Sequence, residues 1–172
     1  MKNILRLSAA ALVLSIASIS EVSAQASATA TATATIVTPI AITKTTDMNF
    51  GNVAVNATTP GTVAMTPAGA RTPAGGVTLP ATAGTVAAAA FNVDGQASYT
   101  YAITLPTTTL QISNGSATMN VSTFTSLPAT TGTLDANGTQ TLTVGATLTV
   151  GAAQAAGTYV SATPFSVTVN YN

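Results

Sequence analysis

The chain has 172 residues, of which 47% are hydrophobic and only 5% are charged, and it contains no histidine and no cysteine. Four basic and four acidic residues give a formal net charge of zero. Binding to nucleic acid or to anionic lipid needs clustered lysines and arginines, so neither is expected. Without histidine or cysteine, the usual catalytic triads and zinc sites cannot be built.

Residues 1–24 have the pattern of a secretory signal peptide. Lys2 and Arg6 make the first residues positively charged, and a short apolar stretch follows. Residues 22–24 (Val-Ser-Ala) match the small-residue cleavage site of signal peptidase. We expect export across the inner membrane to the periplasm, the cell surface or the medium. The apolar stretch is too short to span a bilayer stably, so no direct membrane insertion is expected.

Residues 25–38 form an N-terminal arm in which alanine and threonine alternate. Such alternation is typical of an extended strand with one buried face. Because alanine buries little apolar area, the arm would be a weak strand by itself but a good fit in a narrow groove. As a donor strand it would present an apolar face made of Ala30, Ala32, Ala34, Ile36 and Ile40.

Residues 39–172 are predicted to form one β-sandwich domain, which is large enough for a hydrophobic core. Apolar residues and threonines alternate most clearly over residues 139–150. Further strands are predicted at residues 62–66, 76–79, 88–93, 99–105, 117–122 and 165–171. Turn formers, including Asp-Gly and Asn-Gly, lie at residues 56–61, 67–76, 94–95, 114–115, 128–132 and 135–138. About eight to ten antiparallel strands predict an all-β, Ig-like or jelly-roll sandwich.

Two groups of strand residues are candidate interaction residues. The last predicted strand places Phe165, Val167, Val169 and Tyr171 on one face, and we interpret it as a C-terminal edge strand. Tyr99 and Tyr101 share a face of an earlier strand. We interpret both tyrosines as core residues, with contact to a ligand such as a sugar as the alternative.

The carboxylates of the domain are Asp47, Asp94 and Asp135, each in a different segment. A hydrolase or transferase needs a nucleophile with a base, paired carboxylates or a metal. Asp94 and Asp135 precede glycines as ordinary turn residues do. A calcium site around Asp135 and Asn137 is a weaker alternative, because one carboxylate rarely holds calcium well. We predict no catalytic residue, no metal site and no cofactor.

Six segments resemble a family of bacterial exported proteins known as domain of unknown function 4402. They are residues 40–51 (IAITKTTDMNFG), 75–79, 90–93, 139–151 (TQTLTVGATLTVG), 154–159 and 167–171. The resemblance covers nearly all of the chain after the predicted signal. The family has no established biochemical activity, so the resemblance implies none here.

The C-terminal pattern is similar to that of spore-coat-U-type and archaic chaperone–usher pilins. Residues 157–159 (Gly-Thr-Tyr) are followed, after a few residues, by alternating valine and threonine from Val167 up to Tyr171. In such pilins an Ig-like fold lacks one strand, and a neighbour's N-terminal extension fills the groove. The similarity implies that the arm is a donor, that the last strand borders an acceptor groove, and that a periplasmic chaperone is a partner. Those pilins usually carry a disulfide, which this chain cannot form.

We therefore expect a non-catalytic structural subunit of a bacterial surface assembly, pilin-like or coat-like. It would associate with itself or with related surface subunits. One alternative is a self-contained monomeric secreted sandwich whose residues 28–44 form its own first strand. The other is an adhesin or carbohydrate-binding module that uses Tyr99 and Tyr101.

Overall fold

The computed structural model describes residues 25–172, so the predicted signal peptide at residues 1–24 lies outside the described residues. The chain divides into two units between Thr35 and Ile36. The described part of the first unit, residues 25–35, is exposed throughout and contains neither strand nor helix. The second unit, Ile36–Asn172, contains all of the strands that the structure describes.

The second unit is built from strands alone, which confirms the predicted all-β class. The strands are β1 (Ala41–Thr46), β2 (Ala54–Val55), β3 (Gly61–Met65), β4 (Arg71–Gly75), β5 (Val77–Thr78), β6 (Ala89–Asp94), β7 (Thr100–Thr104), β8 (Leu110–Ser113), β9 (Thr118–Leu127), β10 (Thr131–Thr133), β11 (Thr139–Val150) and β12 (Thr168–Tyr171). Their pairings are antiparallel. Within residues 25–172 there is no helix with the length and apolar character that crossing a bilayer requires.

Strand β11 is the centre of the larger sheet. Its N-terminal half pairs with β6, its C-terminal half pairs with β3, and β9 runs along its opposite edge. The sheet continues from β6 to β1, from β3 to β4 and from β9 to β8. The alternation seen in the sequence determines the buried face, because Leu142, Val144, Ala146, Leu148 and Val150 are all at most 3% exposed.

A three-stranded sheet has the order β10-β7-β12, so β12 is its last strand, and β2 and β5 form a separate two-stranded sheet. An immunoglobulin sandwich orders its strands A-B-E-D in one sheet and C-F-G in the other. Here β1-β6-β11-β9 follows the first order, and β7-β12 follows C-F. Among residues 25–172, no strand occupies the position of G, beside the edge of β12 that faces away from β7. We call this edge the outer edge of β12.

The core between the sheets consists of two clusters of buried side chains. The first contains Ala89, Val93, Tyr101, Leu134, Leu142, Val144, Val167 and Val169. The second contains Val63, Val77, Val121, Ala146, Leu148 and Val150. Met48 and Phe124 pack against both clusters. The long strand β11 contributes residues to each cluster, and it thereby joins the two parts of the core.

A bulge in β9 changes which of its side chains face inward. Two residues of β9, Thr123 and Phe124, lie opposite the single residue Ala146 of β11, and Thr123 has a φ of 53°. Before the bulge Val121 is buried; after it the inward positions are Phe124 and Ser126. The predicted alternation over residues 117–122 is therefore correct but does not continue. The bulge is what directs Phe124 towards the core.

Two segments that were predicted as turns contain strands. Residues 67–76 include β4, and residues 128–132 overlap β10. Strand β4 lies at the end of its sheet, where Pro73 is tolerated because only one edge needs backbone donors. The predicted hairpin turn at residues 114–115 is confirmed, since it joins β8 to β9 and Gly115 has a φ of 92°.

Candidate functional site

The outer edge of β12 is an unpaired strand edge. The N–H of Asn172 donates to the carbonyl oxygen of Thr100 in β7 (3.4 Å), so the alternate residue Asn170 also directs its backbone groups towards β7. The backbone N–H and C=O groups of Val169 and Tyr171 therefore point away from β7. No strand among residues 25–172 pairs with them. Such an edge is a template for the strand of another chain.

The side chains of the predicted edge strand lie where the alternation places them. Val167 and Val169 are buried at 9% and 7% exposure. Phe165 and Tyr171 are half-buried and pack against the first core cluster. The alternate residues of this segment are exposed. The core face of β12 is therefore continuous from Phe165 to Tyr171, although the regular strand begins only at Thr168.

Three partly exposed phenylalanines pack together at the end of the core that lies next to Phe165. The ring of Phe165 lies 6.4 Å from the ring of Phe91 at an interplanar angle of 74°, and 5.0 Å from the ring of Phe124 at 41°. Each such pair contributes about 0.5–1.5 kcal/mol beyond the area that it buries. All three side chains remain partly exposed. The sandwich therefore leaves part of its aromatic core uncovered at this end.

A cleft of about 430 Å³ lies next to Phe165. We define it by its lining, which is residues 104–110 at the end of β7 and the following loop, together with residues 163–166 and Thr168. Leu105 and Phe165 supply apolar surface, and threonines supply hydroxyl groups. A cavity of about 150 Å³ already holds benzene. The cleft therefore has room for a branched aliphatic side chain.

At the C-terminal end of β12, residues of the same domain surround the side chain of Tyr171. The hydroxyl of Tyr171 donates to the carbonyl oxygen of Thr38 (2.7 Å) and accepts the N–H of Gln96 (2.6 Å). The side-chain oxygen of Gln96 accepts from the N–H (3.2 Å) and hydroxyl (3.3 Å) of Thr38. A Cβ atom at Gly95 would collide with the Tyr171 hydroxyl. The root of the arm is thus bound to the C-terminal end of β12.

The structure separates the predicted donor residues into two groups. Ala30, Ala32 and Ala34 are exposed, and Ile36 is 96% exposed. Ile40 instead packs against the first core cluster, directly before β1. The exposed apolar face of the arm therefore ends at Ile36.

The two tyrosines have different environments. Tyr101 is fully buried, and its hydroxyl donates to the side-chain oxygen of Gln140 (2.7 Å). Burial raises the pKa of the Tyr101 hydroxyl above 10.0. The alternative prediction that Tyr101 contacts a ligand is wrong, because no part of it reaches the surface. Tyr99 is 44% exposed and packs edge-to-face on Tyr171, with ring centroids 5.7 Å apart.

Each of the three carboxylates accepts a hydrogen bond from a residue close to it in the chain. Asp135 accepts the backbone N–H groups of Thr139 (2.9 Å) and Asn137 (2.8 Å). The Thr139 hydrogen bond is the main cause that lowers the pKa of Asp135 below 3.8. Asp94 accepts from the amide of Asn92, and Asp47 accepts from the Lys44 ammonium, each through its side chain. Within residues 25–172, no three potential ligands among His, Cys, Asp and Glu are grouped around a point that a metal could occupy.

Two features of this site were missed in the sequence. One is the set of hydrogen bonds that joins Thr38, Gln96 and Tyr171; the other is the loop at residues 105–110 that closes one side of the cleft. Thr38 and Tyr171 are 133 residues apart. No local pattern signals a contact over that separation.

These observations define the class of the protein, an antiparallel β-sandwich of immunoglobulin-like strand order in which no strand of the described residues pairs with the outer edge of β12. Residues 40–171 match the family model described as "Domain of unknown function (DUF4402)", and the chain belongs to this family. The resemblance noted in the sequence is thereby confirmed. No curated protein and no solved structure matched the chain. The match begins at Ile40, so the whole arm at residues 25–38 lies outside it.

Proposed function

We propose that this chain is an exported, non-catalytic structural subunit of a bacterial surface assembly, joined to its neighbours by strand addition. One observation carries the proposal: the outer edge of β12 is unpaired beside a partly uncovered core. The exposed alternating arm at residues 25–38 is a segment of the kind that such an edge accepts.

The outer edge of β12 carries no charge, proline or bulge that would hinder pairing, although the strand has only 4 residues. Natural edge strands are protected by lysines, prolines, bulges or inward-pointing charges. The exposed residues of β12 are Thr168 and Asn170, which are uncharged, and the strand contains no proline. Neither side chain hinders the approach of another strand. The edge is therefore suited to addition of a further strand.

Export and the lack of catalysis rest on the sequence. The signal-like pattern of residues 1–24 supports export. The absence of histidine and cysteine, together with carboxylates that are engaged in turns and strand ends, supports a structural role. The matched family has no assigned activity, so it favours no enzyme class.

The monomeric alternative places residues 28–44 in the domain's own first strand. The structure begins that strand at Ala41, and residues 25–40 form no strand. The adhesin alternative uses Tyr99 and Tyr101 as contact residues, but Tyr101 is fully buried in the core. We therefore favour the structural subunit.

The test compares a chain that begins at Gln25 with one that begins at Thr38, which keeps the hydrogen bonds to Tyr171 and Gln96. Light scattering after size-exclusion chromatography measures mass, and urea unfolding measures stability. We expect multimers from the longer chain only, with similar urea midpoints, because the truncation leaves the strands and both core clusters intact. Multimers in both chains, or in neither, would disprove strand addition by the arm. A large drop in the midpoint would show instead that the arm completes its own domain.

A further inference from the structure

We infer that the cleft beside Phe165 binds a neutral saccharide of one or two rings. The cleft lies on the side of β12 that faces β7, away from its outer edge. The inference therefore goes beyond the proposed function and stands without it. It also differs from the adhesin alternative, because neither Tyr99 nor Tyr101 lines the cleft.

The walls of the cleft are held in place by the fold. One wall is the end of β7 with the loop that follows it, and the other is the segment that leads into β12. The walls are joined where Thr104 of β7 pairs with Thr168 of β12. Leu105, Leu110 and Phe165 line the cleft and also pack against the core clusters. A cleft anchored in this way is formed before a ligand arrives, which lowers the ordering cost of binding.

The first argument concerns the charge of the ligand. Among residues 25–172, no lysine, arginine, aspartate or glutamate lines the cleft. A carboxylate, phosphate or ammonium group that entered it would lose part of its hydration without meeting an opposite charge. The lining therefore favours a neutral ligand.

The second argument concerns the hydroxyl groups of the lining. Seven of the 12 lining residues are threonine or serine, and all seven are exposed. Within the described part of the chain, none of these seven hydroxyls takes part in a hydrogen bond. Each hydroxyl can donate one hydrogen bond and accept others, as the hydroxyls of a saccharide do. A purely apolar ligand would instead cover these groups without replacing the water that they bind.

The third argument concerns size and apolar surface. A cavity of about 150 Å³ holds the single ring of benzene. At about 430 Å³ the cleft has room for one or two six-membered rings. Leu105, Leu110 and Phe165 supply apolar surface among the hydroxyls, and a saccharide ring carries C–H groups that can cover such surface. Mixed apolar and hydroxyl surface is what a neutral saccharide requires.

A peptide strand is a poorer occupant of this cleft. Strand β7 lies between β10 and β12, so it has no free edge to which a further strand could bond. A strand added to β12 would lie at the outer edge, on the side away from β7. Saccharide binding and strand addition therefore use different surfaces of the same domain.

The test measures binding of three neutral disaccharides, cellobiose, maltose and N,N′-diacetylchitobiose, to the chain that begins at Gln25. Saturation-transfer NMR detects weak binding, and titration gives dissociation constants. The cleft variant is Thr104→Val with Thr168→Val, which removes two hydroxyls but keeps β-branched side chains in both strands. The matched control is Thr131→Val with Thr133→Val, two exposed threonines of the same sheet outside the cleft. Urea midpoints establish that both variants fold.

We expect at least one disaccharide to bind, the cleft variant to bind it about tenfold more weakly because two hydrogen bonds are lost, and the control to bind it unchanged. Equal binding by the two variants would overturn the inference. So would the absence of binding at about 10 mM of each disaccharide, or tighter binding of the acidic chondroitin disaccharide or of the peptide Ala-Thr-Ala-Thr. Saccharide binding without multimers would contradict only the proposed function, and multimers without saccharide binding would contradict only this inference.

Discussion

Strands β11 and β12 both alternate inward-facing and outward-facing residues, but they differ in the number of their partners. β11 pairs on both edges and its inward residues are almost completely buried. Among residues 25–172, β12 pairs with β7 alone, and the side chains of Phe165, just before it, and Tyr171, at its end, are half-buried. Alternation therefore determines which face of a strand is buried, whereas the fold determines how many of its edges are paired.

The largest expected effect contrasts matched valines in the two strands. Val144→Ala and Val169→Ala remove the same atoms, worth about 1.5 kcal/mol of transfer free energy at about 0.8 kcal/mol per methylene. Val144 is enclosed by β6 and β9, so its removal also leaves a cavity, and we expect a total loss of about 3 kcal/mol. Val169 lies beside the outer edge, where the structure can relax, and we expect about 1.5 kcal/mol. Urea unfolding with unchanged m-values measures both losses; equal losses would contradict the contrast.

The next effect concerns the C-terminal end of β12. Tyr171→Phe removes the hydroxyl that binds Thr38 and Gln96, and we expect it to lower the free energy of unfolding by about 1–2 kcal/mol. Amide exchange should show lost protection at the N–H of Gln96, while the amides of β11 keep theirs. Unchanged protection at Gln96 would show that the hydroxyl does not hold this end together.

A smaller effect concerns the hydrogen bond between Tyr101 of β7 and Gln140 of β11, which joins two different sheets. Burial raises the pKa of Tyr101 in the folded state, whereas a tyrosine in the unfolded chain ionises with an ordinary pKa of about 10. The contribution of the neutral hydroxyl is therefore complete below about pH 10 and is lost as the pH rises further. Tyr101→Phe should cost about 1 kcal/mol at neutral pH, because the hydrogen bond is lost. Its stability should also fall less steeply above pH 10, as chemical denaturation over this range would show. An identical alkaline decline would contradict the assignment.

The smallest effect concerns the turn that leads into β11. Hydrogen bonds from Thr139 and Asn137 lower the pKa of Asp135 in the folded state below 3.8. This stabilising contribution is present above the unfolded pKa and is lost as the pH falls through the lower folded value. Asp135→Asn should flatten the dependence of the urea midpoint on pH below about 4, since the asparagine does not titrate. A variant as acid-sensitive as the natural chain would show that other carboxylates cause the decline.

The accuracy of the sequence predictions differed between elements for identifiable reasons. Residues 139–150 were predicted with the bounds of β11, because the long alternation is interrupted only by Gly145. Strand β4 was predicted as a turn, because its proline and glycines suggest one and only its pairing with β3 makes it a strand. The bulge at Thr123 left no signal, since threonine is an ordinary strand residue.

By itself the sequence determined the all-β class, the inward faces of β11 and β12, and the hairpin turn at residues 114–115, because alternation and turn chemistry act between residues close in the chain. Only the tertiary structure decided that the outer edge of β12 has no partner strand within the described part of the chain, that Tyr101 is buried, and that Tyr171 binds Thr38 from 133 residues away. Strand order and pocket shape depend on contacts between distant segments. The pattern of one strand contains no information about which strand lies beside it.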